Sequence, residues 1–264
     1  MTSAPPAVQL INLCKRFPGA SGWAVDRVNL SLAPGRLLVI LGESGSGKTT
    51  TLKMINRLIE PTRGSVSIDG EDVRDRDADQ LRRVIGYAFQ GIGLFPHLTI
   101  AQNVGVTPQL LGWPTKNVAA RVDELLEMVG LEPKAYRDRL PRELSGGQRQ
   151  RVGVARALAA GPRLVLMDEP FGALDPLTRD ALQSEFRALH ERLGLTTIMV
   201  SHDITEALLL GDEIAVMCNG ELHQHGPPGD LLNRPATEYV RRLMAMPRTQ
   251  SDRVEALLQD AADD

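Results

Sequence analysis

Two hydrophobic patterns alternate along the chain. Unbroken apolar or β-branched runs at residues 37–41, 164–167 and 196–200 read as short strands buried on both faces, as in a parallel sheet. After the first run and a Gly/Ser-rich loop, Leu52, Ile55, Leu58 and Ile59 recur at helical spacing until Pro61 stops the pattern. Strand followed by helix predicts an α/β protein with a largely parallel sheet. Val66 and Ile68 alternate with polar neighbours ahead of Asp69-Gly70, and Asn219-Gly220 separates residues 214–218 from 221–223. Both turn pairs predict antiparallel hairpin pieces outside the parallel core.

From about residue 100 to residue 160 the strand-like runs disappear. Val118, Val122, Leu125, Leu126 and Val129 fall on one helical face, so this stretch reads as a helical insertion. The expected organisation is a core of residues 1–99 and 161–226 carrying a β subdomain, a helical part at 100–160, and a helical extension at 227–264. Ser251 is a candidate N-cap for a last helix with a stripe of Val254, Leu257 and Leu258.

Composition narrows the function. The 264 residues are 42% hydrophobic, enough for a sizeable core. Thirty Lys and Arg stand against 33 Asp and Glu, a net charge of −3, so no surplus of positive charge is available for a phosphate backbone. Aromatic residues make up 4% of the chain, too few for a series of base-stacking platforms, and no nucleic-acid partner is expected. No apolar run approaches the ~20 residues of a membrane-spanning helix. The N-terminus lacks the basic start and apolar stretch of a secretory leader. Cys14 and Cys218 lie far apart and outside any Cys-x-x-Cys pairing, so both are expected as reduced, buried thiols.

Candidate chemistry concentrates in two places. Gly42-Glu43-Ser44-Gly45-Ser46-Gly47-Lys48-Thr49 matches the phosphate-loop pattern and sits between an apolar strand and an amphipathic helix. Its glycines let successive main-chain N–H groups turn around phosphate oxygens at a helix N-terminus. Lys48 is placed to reach the β- and γ-phosphates, Thr49 to offer its hydroxyl to Mg²⁺, and Thr50 to join the nucleotide contacts. Residues 164–167 end in Asp168-Glu169, two acids whose side chains leave the strand in different directions. In a phosphate-loop protein, such a pair divides into a metal-shell carboxylate, Asp168, and a general base for the attacking water, Glu169.

Between these sites stands Leu144-Ser145-Gly146-Gly147-Gln148, followed by Arg149-Gln150-Arg151-Val152. Its Ser and Gly N–H groups open a helix whose apolar side carries Val152, Ala155 and Leu158, which makes a second anion-binding helix end. This run resembles the signature motif of ATP-binding cassette ATPases. Further landmarks follow in order: Gln90 after the run at 84–89, Asp175 in Gly172-Ala173-Leu174-Asp175, and His202 after the strand ending at Ser201. The resemblance covers nearly the whole chain. It implies a RecA-like phosphate-loop NTPase core with an antiparallel β subdomain and an inserted α-helical subdomain.

The resemblance also implies roles. Gln90 would contact Mg²⁺ and water, Asp175 would act across a dimer interface, and His202 would bond the γ-phosphate and align Glu169. Ser145, Gly146, Gly147 and Gln148 would close over ATP held by a second nucleotide-binding subunit. Phe17 stands where the family places an aromatic that stacks on adenine, with Trp23 close by.

More narrowly, residues 51–62, Thr-Leu-Lys-Met-Ile-Asn-Arg-Leu-Ile-Glu-Pro-Thr, and residues 92–97, Ile-Gly-Leu-Phe-Pro-His, are similar to the ATPase subunits of importers for glycine betaine, choline, proline and related osmoprotectants. Gly91 departs from the polar residue of that subgroup. Larger relatives append paired regulatory domains. The roughly 38 residues after Gly226 fall short of the ~100 of an independent domain, so such regulation is not expected here.

The reading is an ATP-hydrolysing subunit, using ATP and Mg²⁺, that pairs with itself or another cassette and drives a membrane permease served by an extracytoplasmic solute-binding protein. Its expected place is the cytoplasmic side of the cell membrane, with the surface around residues 92–97 as the permease contact. An importer ATPase for another solute, such as an amino acid, is one alternative; a cassette acting on DNA or ribosomes is another.

Overall fold

Ten strands divide into two sheets in the computed structural model, which describes residues 5–89, 93–172 and 174–263. The larger sheet runs β10 (Glu221–Gly226), β9 (Glu213–Cys218), β3 (Leu37–Leu41), β8 (Thr196–Ser201), β7 (Leu164–Asp168), β6 (Ile85–Ala88). Its five strands from β9 to β6 are parallel, and only β10 pairs antiparallel. Every residue of β3, β7 and β8 is buried, as the unbroken apolar runs predict for strands covered on both faces.

The smaller sheet is antiparallel, in the order β2 (Val25–Leu32), β1 (Val8–Lys15), β4 (Arg63–Ile68), β5 (Glu71–Asp72). Its first two strands escaped the sequence reading for a physical reason. The register of β1 shifts between Leu10 and Leu13, with Asn12 at φ 46°, so Leu10, Leu13 and Cys14 bury out of step with a period of two.

Three local expectations change. Residues 214–218 lie inside the parallel sheet, hydrogen-bonded along β3, and only their partner β10 is antiparallel; burial of Ile214 to Met217 on both faces explains the placement. Helix α1 (Lys48–Ile55) ends four residues before Ile59. Arg57 turns left-handed at φ 53°, Leu58 and Ile59 return their N–H groups to Lys53 O, and Leu58 is 46% exposed. Residue 251 is no helix start, because α10 (Glu238–Asp263) runs through it. Of the two cysteines, Cys14 is buried and Cys218 half-buried, and neither is in a disulfide.

Among the described residues, those between β6 and β7 form helices: α3 (Ile100–Leu110), α4 (Thr115–Met128), the short α5 (Pro133–Tyr136) and α6 (Gly146–Leu158). The predicted α4 stripe of Val118, Val122, Leu125 and Leu126, with Val129, is buried in the core that also holds Val152, Ala155 and Leu158 of α6. The approach to α3 is clamped by Asn103, whose side-chain amide donates to the carbonyls of Phe95, Leu98 and Thr99 at 3.0–3.1 Å and accepts from Phe95 N–H at 2.8 Å. Asn103 is fully buried, so Asn103→Ala strands several main-chain groups and is expected to lower unfolding stability by about 2–4 kcal/mol in urea titration. The core is completed by α2 (Ala78–Val84), α7 (Pro176–Leu193), α8 (Ile204–Leu210) and α9 (Pro228–Asn233). No described helix is long and apolar enough to cross a membrane.

Candidate functional site

The C-terminal ends of β3, β7 and β8 converge where β3 passes into α1, the place where parallel α/β sheets hold ligands. Gly45 and Gly47 take φ values of 81° and 100°. A Cβ on Gly47 would stand 2.4 Å from Ala24 O, so neither the backbone angle nor the space admits a side chain there. A cavity of about 200 Å³ opens over the loop, lined by Ala24, Ser44, Gly45, Lys48, Thr49 and Glu169 among others. Gly47 and Thr50 also line it.

Lys48 is 5% exposed, and its ammonium donates to Gly42 O and Glu43 O, both at 2.8 Å. Burial pulls its pKa below the ordinary lysine value, opposed by the charges of Glu169 and Asp168. Thr49 donates its hydroxyl to Asp168 at 2.8 Å. Burial pushes the Asp168 carboxyl up, against the Thr49 hydrogen bond and the charge of Lys53. A hydroxyl and a buried carboxylate side by side form an oxygen donor pair suited to a hard divalent cation, whose charge would offset that burial.

The next residue, Glu169, has φ 47° while its N–H still bonds Val200 O at 3.0 Å. The two acids meet different partners, Asp168 the Thr49 hydroxyl and Glu169 the His202 ring, and the left-handed turn at Glu169 replaces the strand alternation there. His202, just past β8, brings Nδ1 to 3.4 Å from Glu169 Oε2 and remains 59% exposed.

The second helix end lies elsewhere. Ser145 caps α6, its hydroxyl accepting from Gln148 N–H at 3.2 Å while the Gln148 side-chain Oε1 accepts from Ser145 N–H at 3.0 Å. Gln148 also donates to the Tyr136 hydroxyl at 3.0 Å. A Cβ on Gly147 would meet Thr178 Cγ2 at 2.6 Å, so α6 starts pressed against α7. Asp175 caps that helix by accepting from Thr178 N–H at 3.1 Å, and the Thr178 side chain together with that N–H holds its carboxyl below the usual range. Neither Asp175 nor residues 145–148 line the phosphate-loop cavity.

Phe17 is 40% exposed under the Lys15 ammonium, 5.3 Å from its ring centroid, and it does not line the cavity either. Arg63 sits over Trp23. Gln90, Gly91, Ile92 and Ala173 lie outside the described residues.

A larger groove of about 420 Å³ runs between α2, β6 and the helices α3 and α6, lined by Tyr87, Phe89, Phe95, Thr107 and Arg156 among others. Arg156 donates to Gly93 O at 2.7 Å, and its guanidinium lies 5.9 Å from the centroids of both Phe89 and Phe95. Sequence reasoning missed Asn103 and Arg156, whose importance depends on contacts across distant segments. It also missed Glu206, because Asp203-Ile204-Thr205-Glu206 reads as an ordinary helix start.

A largely parallel sheet with a glycine turn between β3 and α1, an acid pair at the end of β7 and a second capped helix is the fold of phosphate-loop NTPases. The chain belongs to the ABC transporter family, whose family model matches residues 25–172. It is 52% identical over 239 residues to the choline transport ATP-binding protein OpuBA of Bacillus subtilis (strain 168), covering 90% of this chain and 62% of that protein. Identity to the osmoprotectant import ATP-binding protein OsmV of Salmonella typhimurium is 50% over 245 residues, 92% of this chain and 64% of OsmV. The chain thus spans less than two thirds of the length of these two relatives. Among solved structures it resembles the dimeric MJ0796, a bacterial ABC transporter cassette, with a TM-score of 0.75 and 36% identity, covering 84% of this chain and 98% of that one.

Proposed function

We propose that the protein is the ATP-hydrolysing subunit of an importer for a small solute, with quaternary-amine osmoprotectants such as glycine betaine or choline as the substrate class. One observation carries the reading. Lys48, Thr49 and Glu169 line one cavity, with Asp168 hydrogen-bonded to Thr49 and His202 beside Glu169 behind them, while the capped start of α6 stands apart from it. A chain arranged in this way completes two sites by pairing with a second copy or a related cassette. The names of OpuBA and OsmV support the solute class, and the dimeric MJ0796 cassette supports the pairing.

In this reading the loop from Gly42 to Gly47 and Lys48 hold the phosphates, Thr50 adds a contact, and Phe17 stacks on adenine. Thr49, Asp168 and Gln90 would hold Mg²⁺, which supplies charge neutralisation at the phosphates. Glu169 takes a proton from the attacking water. His202 holds Glu169 in line and bonds the γ-phosphate. Ser145, Gly146, Gly147 and Gln148 close over nucleotide on the opposite chain, and Asp175 works across the same interface. ATP that contacts both chains favours closure; cleavage removes that differential contact and favours opening.

The groove beside Phe95 takes a permease segment, so the chain works peripherally at the cytoplasmic face of the membrane, in a system that includes an extracytoplasmic solute-binding protein. Residues 1–99 with 161–226, 100–160 and 227–264 form the nucleotide-binding core, the helical part and the extension. Affinity purification is expected to recover an integral-membrane subunit, and deletion is expected to abolish uptake of radiolabelled betaine or choline. Recovery with ribosomes or DNA and never with a membrane fraction overturns the transport reading. Unchanged uptake of betaine, choline and proline removes the osmoprotectant class.

A further inference from the structure

The turn that carries His202 is braced from behind by a carboxyl that the chemistry above leaves unused. Asp203 caps α8 by accepting from Glu206 N–H at 3.1 Å. In a capping box the glutamate three residues into the helix would return to the N–H of the cap residue. Here that N–H goes to Ser201 Oγ at 3.0 Å, and Glu206 turns inward. Gln183 of α7 donates to Glu206 Oε1 at 2.9 Å, and the Ser201 side chain beside the same carboxyl favours its charged form.

Glu206 is 5% exposed and Gln183 8%, and burial pushes the Glu206 carboxyl up toward its neutral form. A buried carboxyl is costly unless its hydrogen bonds are met, so a side chain chosen for packing alone would be apolar. Arg179 of α7 ties the same wall together. It donates to Leu174 O at 3.0 Å beside Asp175, lies 3.5 Å from Asp203, and its buried Nε has no hydrogen-bond partner among the described residues. Between these groups and the reacting pair lies a cavity of about 20 Å³ lined by Glu169, Arg179, Ser201, His202, Asp203 and Glu206 among others. That is room for one water with several polar partners.

We propose that Glu206 is a positioning residue for ATP hydrolysis: held by Gln183 behind the turn from Ser201 to Asp203, it fixes that turn and with it the approach of His202 to Glu169. The inference rests on the ATPase reading above. It acts through hydrogen bonds that a neutral amide can replace and a hydrocarbon cannot. In purified protein, Glu206→Leu is expected to lower kcat by roughly ten- to a hundredfold, as a displaced catalytic group does. ATP affinity stays within about twofold of wild type, and Glu206→Gln restores kcat to within about threefold. The His202 imidazole NMR resonances shift in Glu206→Leu and stay in place in Glu206→Gln.

An unchanged kcat in Glu206→Leu overturns the inference, as does an equal loss of ATP binding and turnover, or a Glu206→Gln variant as slow as Glu206→Leu. Should Glu206→Leu fail to fold, Gln183→Leu keeps the carboxyl, removes its partner, and is expected to show the same split between kcat and affinity; no change there overturns the brace. Wild-type protein that binds ATP but never hydrolyses it overturns the ATPase reading and this inference together. Full-rate hydrolysis by the variants overturns this inference alone.

Discussion

Glu169→Gln is expected to bind ATP as the wild type does and to lose nearly all turnover, accumulating as a closed dimer. The substitution keeps size and removes the capacity to take a proton. Positioned general bases contribute roughly 10²–10⁴ in rate, and steady-state phosphate release is expected to fall by that order. Binding survives because Glu169 is separate from the groups that grip phosphate. Its backbone is fixed by the N–H bond to Val200 O, and Thr49 and Asp168 keep their own hydrogen bond. With cleavage blocked, the bonds that both chains make to one ATP persist, and size-exclusion chromatography with ATP should show the dimer. Normal steady-state hydrolysis by the variant would remove Glu169 from the role of base.

Lys48→Ala is expected to abolish measurable ATP binding at micromolar protein without weakening the fold. The ammonium is buried at the loop, where a charge-assisted bond to phosphate is worth about 1.5–3 kcal/mol. Removing two such bonds, one to the β-phosphate and one to the γ-phosphate, weakens affinity by roughly two orders of magnitude or more. Stability should hold, because burial of the Lys48 ammonium carries a desolvation cost that the substitution removes. Calorimetry would read the affinity and thermal unfolding the fold. Tight ATP binding by the variant would mean that the loop grips phosphate through its N–H groups alone.

The strand runs at 37–41, 164–167 and 196–200 and the α4 stripe were legible because burial on both faces, or along one stripe, leaves a periodic mark in the chain itself. The phosphate loop was legible because its chemistry is local: spacing, glycines and the following helix lie within a few consecutive residues. β1 was hidden by its bulge, the end of α1 by a left-handed Arg57, and the pairing of β9 with β3 by a partner more than 170 residues away. No local pattern records such a pairing.

The glycine turn between β3 and α1, the acid pair at the end of β7 and the capped start of α6 are written in consecutive residues, since each needs only neighbours along the chain. Folding selected which of them meet. It set Thr49 against Asp168 and His202 against Glu169, kept the start of α6 out of that cavity, and turned Glu206 from an ordinary cap position into the brace behind His202. The physical reason is that hydrogen bonds and burial act over a few ångströms in space, while spacing along the chain records only the residues that share one element.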